Sequence, residues 1–231
     1  MIYFIGDVHA QFRALITKMT LFDIRNSSIV QVGDFGAGFK RDEELELKGI
    51  DEFLKGRNSQ LYIIRGNHDM PSYFSQTNKK GNIHFLKDYS LLEINNKKLL
   101  LIGGAISIDR THRVEGSSYW KDEAFNFDEK LLTKTLEGID KVDIVVTHNA
   151  PTEFWPYELS PTVQHFLERD KPLFTDLVNE RNAHSNLMKQ LNRFKPRYWY
   201  YGHFHAKYKG EYEGIKYRLL DEMEIYTHIT K

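Results

Sequence analysis

Five short stretches of this 231-residue sequence hold the side chains best suited to acid–base and metal chemistry. Asp7 and His9 lie in Gly6-Asp7-Val8-His9, and Asp34 lies in Gly33-Asp34-Phe35-Gly36. Asn67, His68 and Asp69 follow Gly66, His148 sits in Thr147-His148-Asn149, and His203 and His205 share Gly202-His203-Phe204-His205. Five of the ten histidines fall here, a concentration that scattered core histidines would not produce. A core has no use for an amide, an imidazole and a carboxylate in a row, because such neighbours need partners or water. The inventory suits two divalent cations roughly 3.5–4 Å apart, which clamp a phosphate and acidify a bound water so that hydroxide attacks phosphorus in line. Such a pair needs a bridging carboxylate, neutral imidazoles and further oxygen ligands.

The elements that must position these residues are legible from periodicity. Apolar runs at Ile2 to Ile5, Ser28 to Val32 and Leu61 to Ile64 read as strands. Helical spacing over Gln11 to Phe22 and Asp42 to Lys55 separates them, a βαβαβ start that implies parallel pairing. A hairpin is expected from Ser90 to Ile94 and Lys98 to Ile102 across Asn95-Asn96-Lys97. Asp128 is a candidate N-cap for a helix carrying Leu131, Leu132 and Leu136, closed by Gly138. Further strands are expected at Ile144 to Thr147 and Tyr198 to Tyr201, then a hairpin turning near Glu213-Gly214 and a last segment from Glu222 to Ile229. Asp176 to Phe194 reads as a helix burying Leu177, Val178, Leu187, Met188, Leu191 and Phe194. The polar stretches stand at the carboxyl ends of five of these strands, where ligands collect in parallel α/β sheets. Singly, Asp7 or Asp34 could merely cap a helix; the set of five has no such reading.

Composition bounds the rest. The chain has 41% hydrophobic residues, enough for one domain over residues 1–231, and Lys+Arg and Asp+Glu are equal at 32 each. The balance gives no strong sign of nucleic-acid binding and none of a membrane partner. There are no cysteines, so disulfides, thiolate zinc sites and thiol nucleophiles are excluded. Met1 to Ile5 is apolar but stops at Gly6-Asp7, far short of a signal or membrane segment, and a cytoplasmic location is expected.

The order Asp-x-His, Gly-Asp, Gly-Asn-His-Asp, His, Gly-His-x-His resembles that of the calcineurin-like metallophosphoesterases, from Ile2 to about His205. The resemblance implies a four-layer α/β/β/α sandwich of two mixed sheets flanked by helices. It also implies one metal held by Asp7, His9, Asp34 and His205, and another by Asp34, Asn67, His148 and His203. Asn67 would also meet substrate, and His68 would be the general acid or transition-state donor, oriented by Asp69 through a hydrogen bond. The cofactors implied are two divalent ions, manganese foremost, with iron, zinc, nickel or cobalt able to use the same ligands.

Gly33-Asp34-Phe35-Gly36-Ala37-Gly38-Phe39 lacks the Asp-Arg-Gly of serine/threonine protein phosphatases, where the arginine grips phosphate. Arg110 and Arg113 are the candidate replacement clamp, against the alternative that they pair with Asp109 or Glu115. Tyr119 and Trp120 either pack the loop or offer a stacking face. His84, His112, His165, His184 and His228 are assigned to structure or surface. Pro151 to Pro172, with Trp155, Tyr157 and Phe166, is a candidate rim or lid. The expected activity is metal-dependent hydrolysis of a phosphomonoester or phosphodiester in a phosphorylated small molecule, nucleotide or phosphoprotein. A scaffold on the same fold and a metal-dependent nuclease are the alternatives.

Overall fold

The computed structural model describes residues 1–40, 43–154 and 161–229. Strand β1 (Ile2–Ile5) leads to helix α1 (Phe12–Leu21), then β2 (Ser28–Gln31), α2 (Glu43–Gly56) and β3 (Gln60–Ile63). Asp42, the expected start of α2, lies outside the described residues. Two short strands not foreseen, β4 (Asn78–Lys80) and β5 (Ile83–Phe85), follow. The edge strand β4, Asn-Lys-Lys, has no apolar alternation to announce it, and its charges suit an unpaired edge. Then come β6 (Ser90–Ile94), β7 (Lys97–Ile102), α3 (Glu129–Thr135), β8 (Ile144–Thr147), α4 (Pro161–Arg169) and α5 (Leu173–Leu191). The chain closes with β9 (Tyr198–Tyr201), β10 (Tyr208–Tyr212), β11 (Ile215–Leu219) and β12 (Ile225–His228).

Two six-stranded mixed sheets result, ordered β12-β1-β2-β3-β5-β4 and β10-β11-β9-β8-β7-β6. β1, β2, β3 and β5 pair in parallel in the first, and β7, β8, β9 and β11 in the second. Alternation along each strand then builds the layers. Tyr3, Ile5, Ile29, Leu61 and Ile63 face outward to Leu15 and Met19 of α1 and Leu47 and Ile50 of α2. Phe4 and Val30 face inward to Leu99, Leu101, Ile144 and Tyr200 of the second sheet. Phe4 and Tyr200 stack across that middle layer with centroids 3.8 Å apart. Leu100, Val145 and Trp199 face the far side, against Leu132 of α3 and Leu187 and Leu191 of α5. This is the four-layer sandwich expected from sequence.

Local chemistry fixes the boundaries. Asn95 and Asn96 take φ of 51° and 59°, a two-residue turn of the primed kind, so Lys97 joins β7 rather than the connection. Asp128 caps α3 by accepting from the Leu131 N–H at 2.9 Å. The buried face of α5 departs from expectation. Val178 is exposed, whereas Glu180, Arg181, His184 and Ser185 turn inward. Glu180 serves the loops above the second sheet, accepting from the N–H groups of Phe125 at 3.0 Å and Ile106 at 3.3 Å. Within the expected rim, α4 is described and carries Phe166, while Trp155 and Tyr157 lie outside the described residues. Among the described residues, no helix is long and apolar enough to cross a membrane.

Candidate metal centre

The five polar stretches leave β1, β2, β3, β8 and β9 at one end of the two sheets, and the turns bend the side chains back toward one another. His9, Asp34, His203 and His205 hold left-handed backbone, with φ of 47°, 56°, 73° and 46°. Non-glycine residues pay for that geometry, and four of them within one cluster mark a site whose surroundings impose it. Two glycines show the crowding. A Cβ on Gly66 would collide with Asp34 Oδ1 and His148, and one on Gly202 with Asp7 Oδ1.

Asp7, His9, Asp34 and His205 each offer a ligand atom, all lying within 4.8 Å of one another. His205 Nε2 is 3.2 Å from Asp7 Oδ2 and 3.0 Å from His9 Nε2. Beside them is a second group. His148 Nε2 lies 3.2 Å from Asp34 Oδ1 and 3.3 Å from Asn67 Oδ1, and its ring centroid is 5.1 Å from that of His203. Asp34 joins the two groups, since Oδ1 faces His148 while Oδ2 stands 4.0 Å from His9 Nδ1. The Asp7, His9, Asp34 and His205 set fits a metal ion. Asp7 and Asp34 are 0% and 1% exposed, and no Lys or Arg pairs with either among the described residues. Neutral and anionic donors aimed at shared positions suit a cation there.

Protonation reports the same need. Burial opposes charge on His148, yet Asp34 and Asp7 beside it push its pKa up to about 9. Its Nδ1–H donates to Val32 O at 2.8 Å, which leaves Nε2 for Asp34 and Asn67. Burial works against ionising Asp34, but the His148 and His68 imidazoles outweigh it and hold the carboxyl well below its usual range. Burial and then the nearby His148 drive His203 well below an ordinary histidine. His205 is raised, first by its hydrogen bond to Asp7. A cation bound between these groups displaces such protons.

The surrounding contacts hold the ligands in place. His203 N–H donates to Asp7 Oδ2 at 3.1 Å. Asn67, 5% exposed, donates from Nδ2 to Ser107 Oγ at 3.2 Å, and Ser107 N–H donates to Glu123 at 2.6 Å. Asn149, next to His148, donates to Glu180 at 2.6 Å. Glu222 Oε1 stands 3.1 Å from His205 Nδ1 and 3.6 Å from His9 Nε2. Sequence reading missed Glu222, which was placed at the start of the last strand. It obeys the rule that found the other five stretches, standing just past the apolar end of β11. Glu123 and Glu180 carry no comparable signal.

His68 lies at the edge of the cluster. Its N–H donates to Asp34 Oδ1 at 2.6 Å, and its Nδ1 is 3.2 Å from Asp34 Oδ2 and 2.8 Å from His9 Nδ1. Asp69 is not its partner, contrary to expectation. The Asp69 carboxylate is fully buried and accepts from the N–H groups of Phe35, Gly36, Ala37 and Gly66 at 3.1, 2.7, 2.9 and 2.8 Å. Burial and the charge of Asp34 push this carboxyl up to about 7, while the N–H donors pull against them. Asp69 thus knits the Asp34 loop to the Asn67 turn. The two arginines separate as well. Arg113 Nη2 donates to His68 Nε2, and its Nε meets Asp109 at 2.6 Å. Arg110 is instead committed to Asp170, at 2.5 and 3.1 Å, and to Asp176 at 2.7 Å. Both arginines take carboxylate partners, but only Arg113 also faces the centre.

A family model for calcineurin-like phosphoesterases matches residues 1–207. No curated protein matches the chain. Among solved structures, the chain is similar to a putative 5′-nucleotidase from Staphylococcus aureus, with TM-score 0.53 and 12% identity over 97% of this chain and 49% of that one. The chain therefore spans about half the length of that relative. A dimetal phosphatase from Danio rerio matches with TM-score 0.53 and 13% identity, covering 96% of this chain and 88% of that one. Phosphopantetheinyl hydrolase from Mycobacterium tuberculosis gives TM-score 0.50 and 11% identity, over 96% and 89%. At such identities the likeness is one of fold.

Proposed function

The chain belongs to the calcineurin-like phosphoesterase family, and from that premise we propose that it hydrolyses phosphate esters with two divalent cations, manganese foremost. The observation that carries this reading is Asp34, whose two carboxylate oxygens face two separate groups of donors. Asp7, His9, Asp34 and His205 would hold one cation, and Asp34, Asn67, His148 and His203 the other. When bound, the pair supplies electrophilic charge to the phosphate and acidifies water. Val32 O, Ser107, Glu123 and Glu222 fix the ligand side chains that face those ions.

The remaining steps belong to His68 and Arg113. In the free protein, Arg113 Nη2 donates to His68 Nε2, while His68 Nδ1 faces His9 Nδ1 and Asp34 Oδ2. A phosphoryl oxygen is a better acceptor for a guanidinium than an imidazole nitrogen is. Its arrival draws Nη2 away and leaves His68 Nε2 free to take a proton from solvent and pass it to the departing oxygen. Asp34, not Asp69, stabilises that charged imidazole.

The names of the similar structures span nucleotidase, dimetal phosphatase and phosphopantetheinyl hydrolase, so monoesters and diesters both belong in the test. Metal-reconstituted protein is assayed on phosphomonoesters, cyclic nucleotides, bis(nitrophenyl) phosphate and phosphopeptides, with elemental analysis alongside. About two ions per chain and chelator-sensitive turnover restored by Mn²⁺ are expected. Turnover that survives exhaustive chelation would sink the reading.

A further inference from the structure

Phe39 and Trp120 are large aromatic residues that join none of the three hydrophobic clusters. Both are half-buried. They meet edge to face, with centroids 5.3 Å apart and planes at 69°, and Phe39 meets the His68 ring at 5.9 Å and 71°. Among other large aromatics, Phe12, Phe35, Phe85 and Phe154 are fully buried, whereas Phe22 and Phe174 are exposed. What sets Phe39 and Trp120 apart is their contact with each other and, through Phe39, with the site imidazole, outside any hydrophobic cluster.

Their placement along the chain points outward from the reacting groups. Phe39 sits in the loop that leaves Asp34, and Trp120 closes the segment that brings Arg113 to His68. Trp120 also lines a cleft of about 670 Å³, together with Met70, Pro71 and Lys87 among others. The Phe39 ring beside His68, with Trp120 against it, offers ring surface to a group leaving past that imidazole.

Resting on the phosphoesterase reading, we infer that Phe39 and Trp120 form a stacking subsite on the leaving-group side of His68. The preferred substrates are then phosphate esters whose alcohol carries a planar aromatic group, a nucleobase or an aryl ring. A ring face takes any such group without hydrogen-bond readout, which gives selectivity for planarity rather than for one base.

Adenosine 5′-monophosphate and ribose 5-phosphate test this directly, because they share a primary-alcohol leaving group and differ in the base. The metal-loaded protein is expected to favour the nucleotide by roughly tenfold or more in kcat/KM, expressed mainly in KM. Phe39→Leu and Trp120→Leu should each draw that ratio toward one, and Phe39→Tyr should keep it. Tryptophan fluorescence, titrated with each compound after chelation, gives a second readout without turnover. Quenching by the nucleotide alone, lost in Phe39→Leu, supports the subsite. Equal kcat/KM for the two esters, variants that slow both alike, or no selective quenching would overturn it. If no ester is hydrolysed at all, the phosphoesterase reading fails instead, and the fluorescence titration decides the subsite by itself.

Discussion

Arg113 reaches His68 from a segment more than forty residues further along the chain, and its guanidinium stands between the imidazole and Asp109. The same fork that meets a carboxylate meets a phosphoryl oxygen, so the contact marks where the non-metal grip on substrate lies. Asp109 and the Ser118 carbonyl, 3.2 Å from Nη1, hold the fork in place before substrate arrives.

Arg113→Ala is expected to raise KM and the inhibition constant for inorganic phosphate by roughly ten- to hundredfold, the value of a charge-assisted hydrogen bond. Arg113→Lys should recover little, since an ammonium cannot reproduce the planar fork. Steady-state kinetics with metal content measured in parallel is the check, and unchanged phosphate affinity would count against the assignment.

Arg110, three residues earlier, acts on the same segment from outside. Its ion pairs with Asp170 and Asp176 pin the turn at Arg110–His112 to the connection between α4 and α5 and to the first turn of α5. Arg110→Ala should therefore copy the KM signature of Arg113→Ala more weakly, and Asp170→Asn should do so more weakly still. A change in melting temperature with unaltered kinetics would reduce Arg110 to a structural tie.

Much of this was legible before any coordinates. Each strand that carries a candidate ligand announced itself by an apolar run ending in a polar residue, after a glycine in β1, β2, β3 and β9 and after Thr147 in β8, because ligands collect where strands end. Pairings among polar residues were not legible. Asp69 adjoins His68 in sequence, yet its carboxylate closes on four N–H groups, since a turn this tight leaves backbone donors that require an acceptor. Arg110 and Arg113 are equivalent as sequence, and only the packing of α4 and α5 decides which of them finds aspartates there.

Asp69→Asn should accordingly destabilise the protein. An asparagine keeps one acceptor oxygen but turns an NH₂ toward N–H groups that need an acceptor, at a cost of roughly 2–4 kcal/mol. Urea unfolding with and without Mn²⁺ measures it. A normal midpoint together with turnover loss confined to poor leaving groups would restore Asp69 as a partner of His68.

Glu222 holds His205 by its Nδ1, the nitrogen pointing away from Asp7. Carboxylates in that position fix the ligand's tautomer and raise its basicity, and removing one weakens metal binding by roughly 10–100-fold. Glu222 is half exposed, so Glu222→Gln should fall at the lower end, with one ion lost at limiting metal and the other retained. Calorimetric titration of the metal-free variant with Mn²⁺ checks this; two unchanged binding steps would remove Glu222 from the site.

His184 supplies the pH dependence. It is fully buried on α5 and stacked on Phe125 with centroids 3.9 Å apart, and neither ring nitrogen has a hydrogen-bond partner among the described residues. Burial, reinforced by the nearby Arg181 charge, lowers its pKa to about 3 from the 6.5 of an unperturbed histidine. Between those values the unfolded chain holds the proton and the folded chain does not, so stability is fully present above about pH 6.5 and is lost as pH falls toward 3. The slope approaches about 1.4 kcal/mol per pH unit, or roughly 2 kcal/mol between pH 6.5 and 5. His184→Leu removes this titration and the two unpartnered nitrogens while leaving every other titrating group in place. The difference in unfolding free energy between the two proteins, measured by urea at pH 7.5 and pH 5, should therefore shift in favour of the variant by about that amount. A difference that does not change with pH would show that the folded protein accommodates the His184 proton, through a partner for its ring nitrogens that forms on protonation.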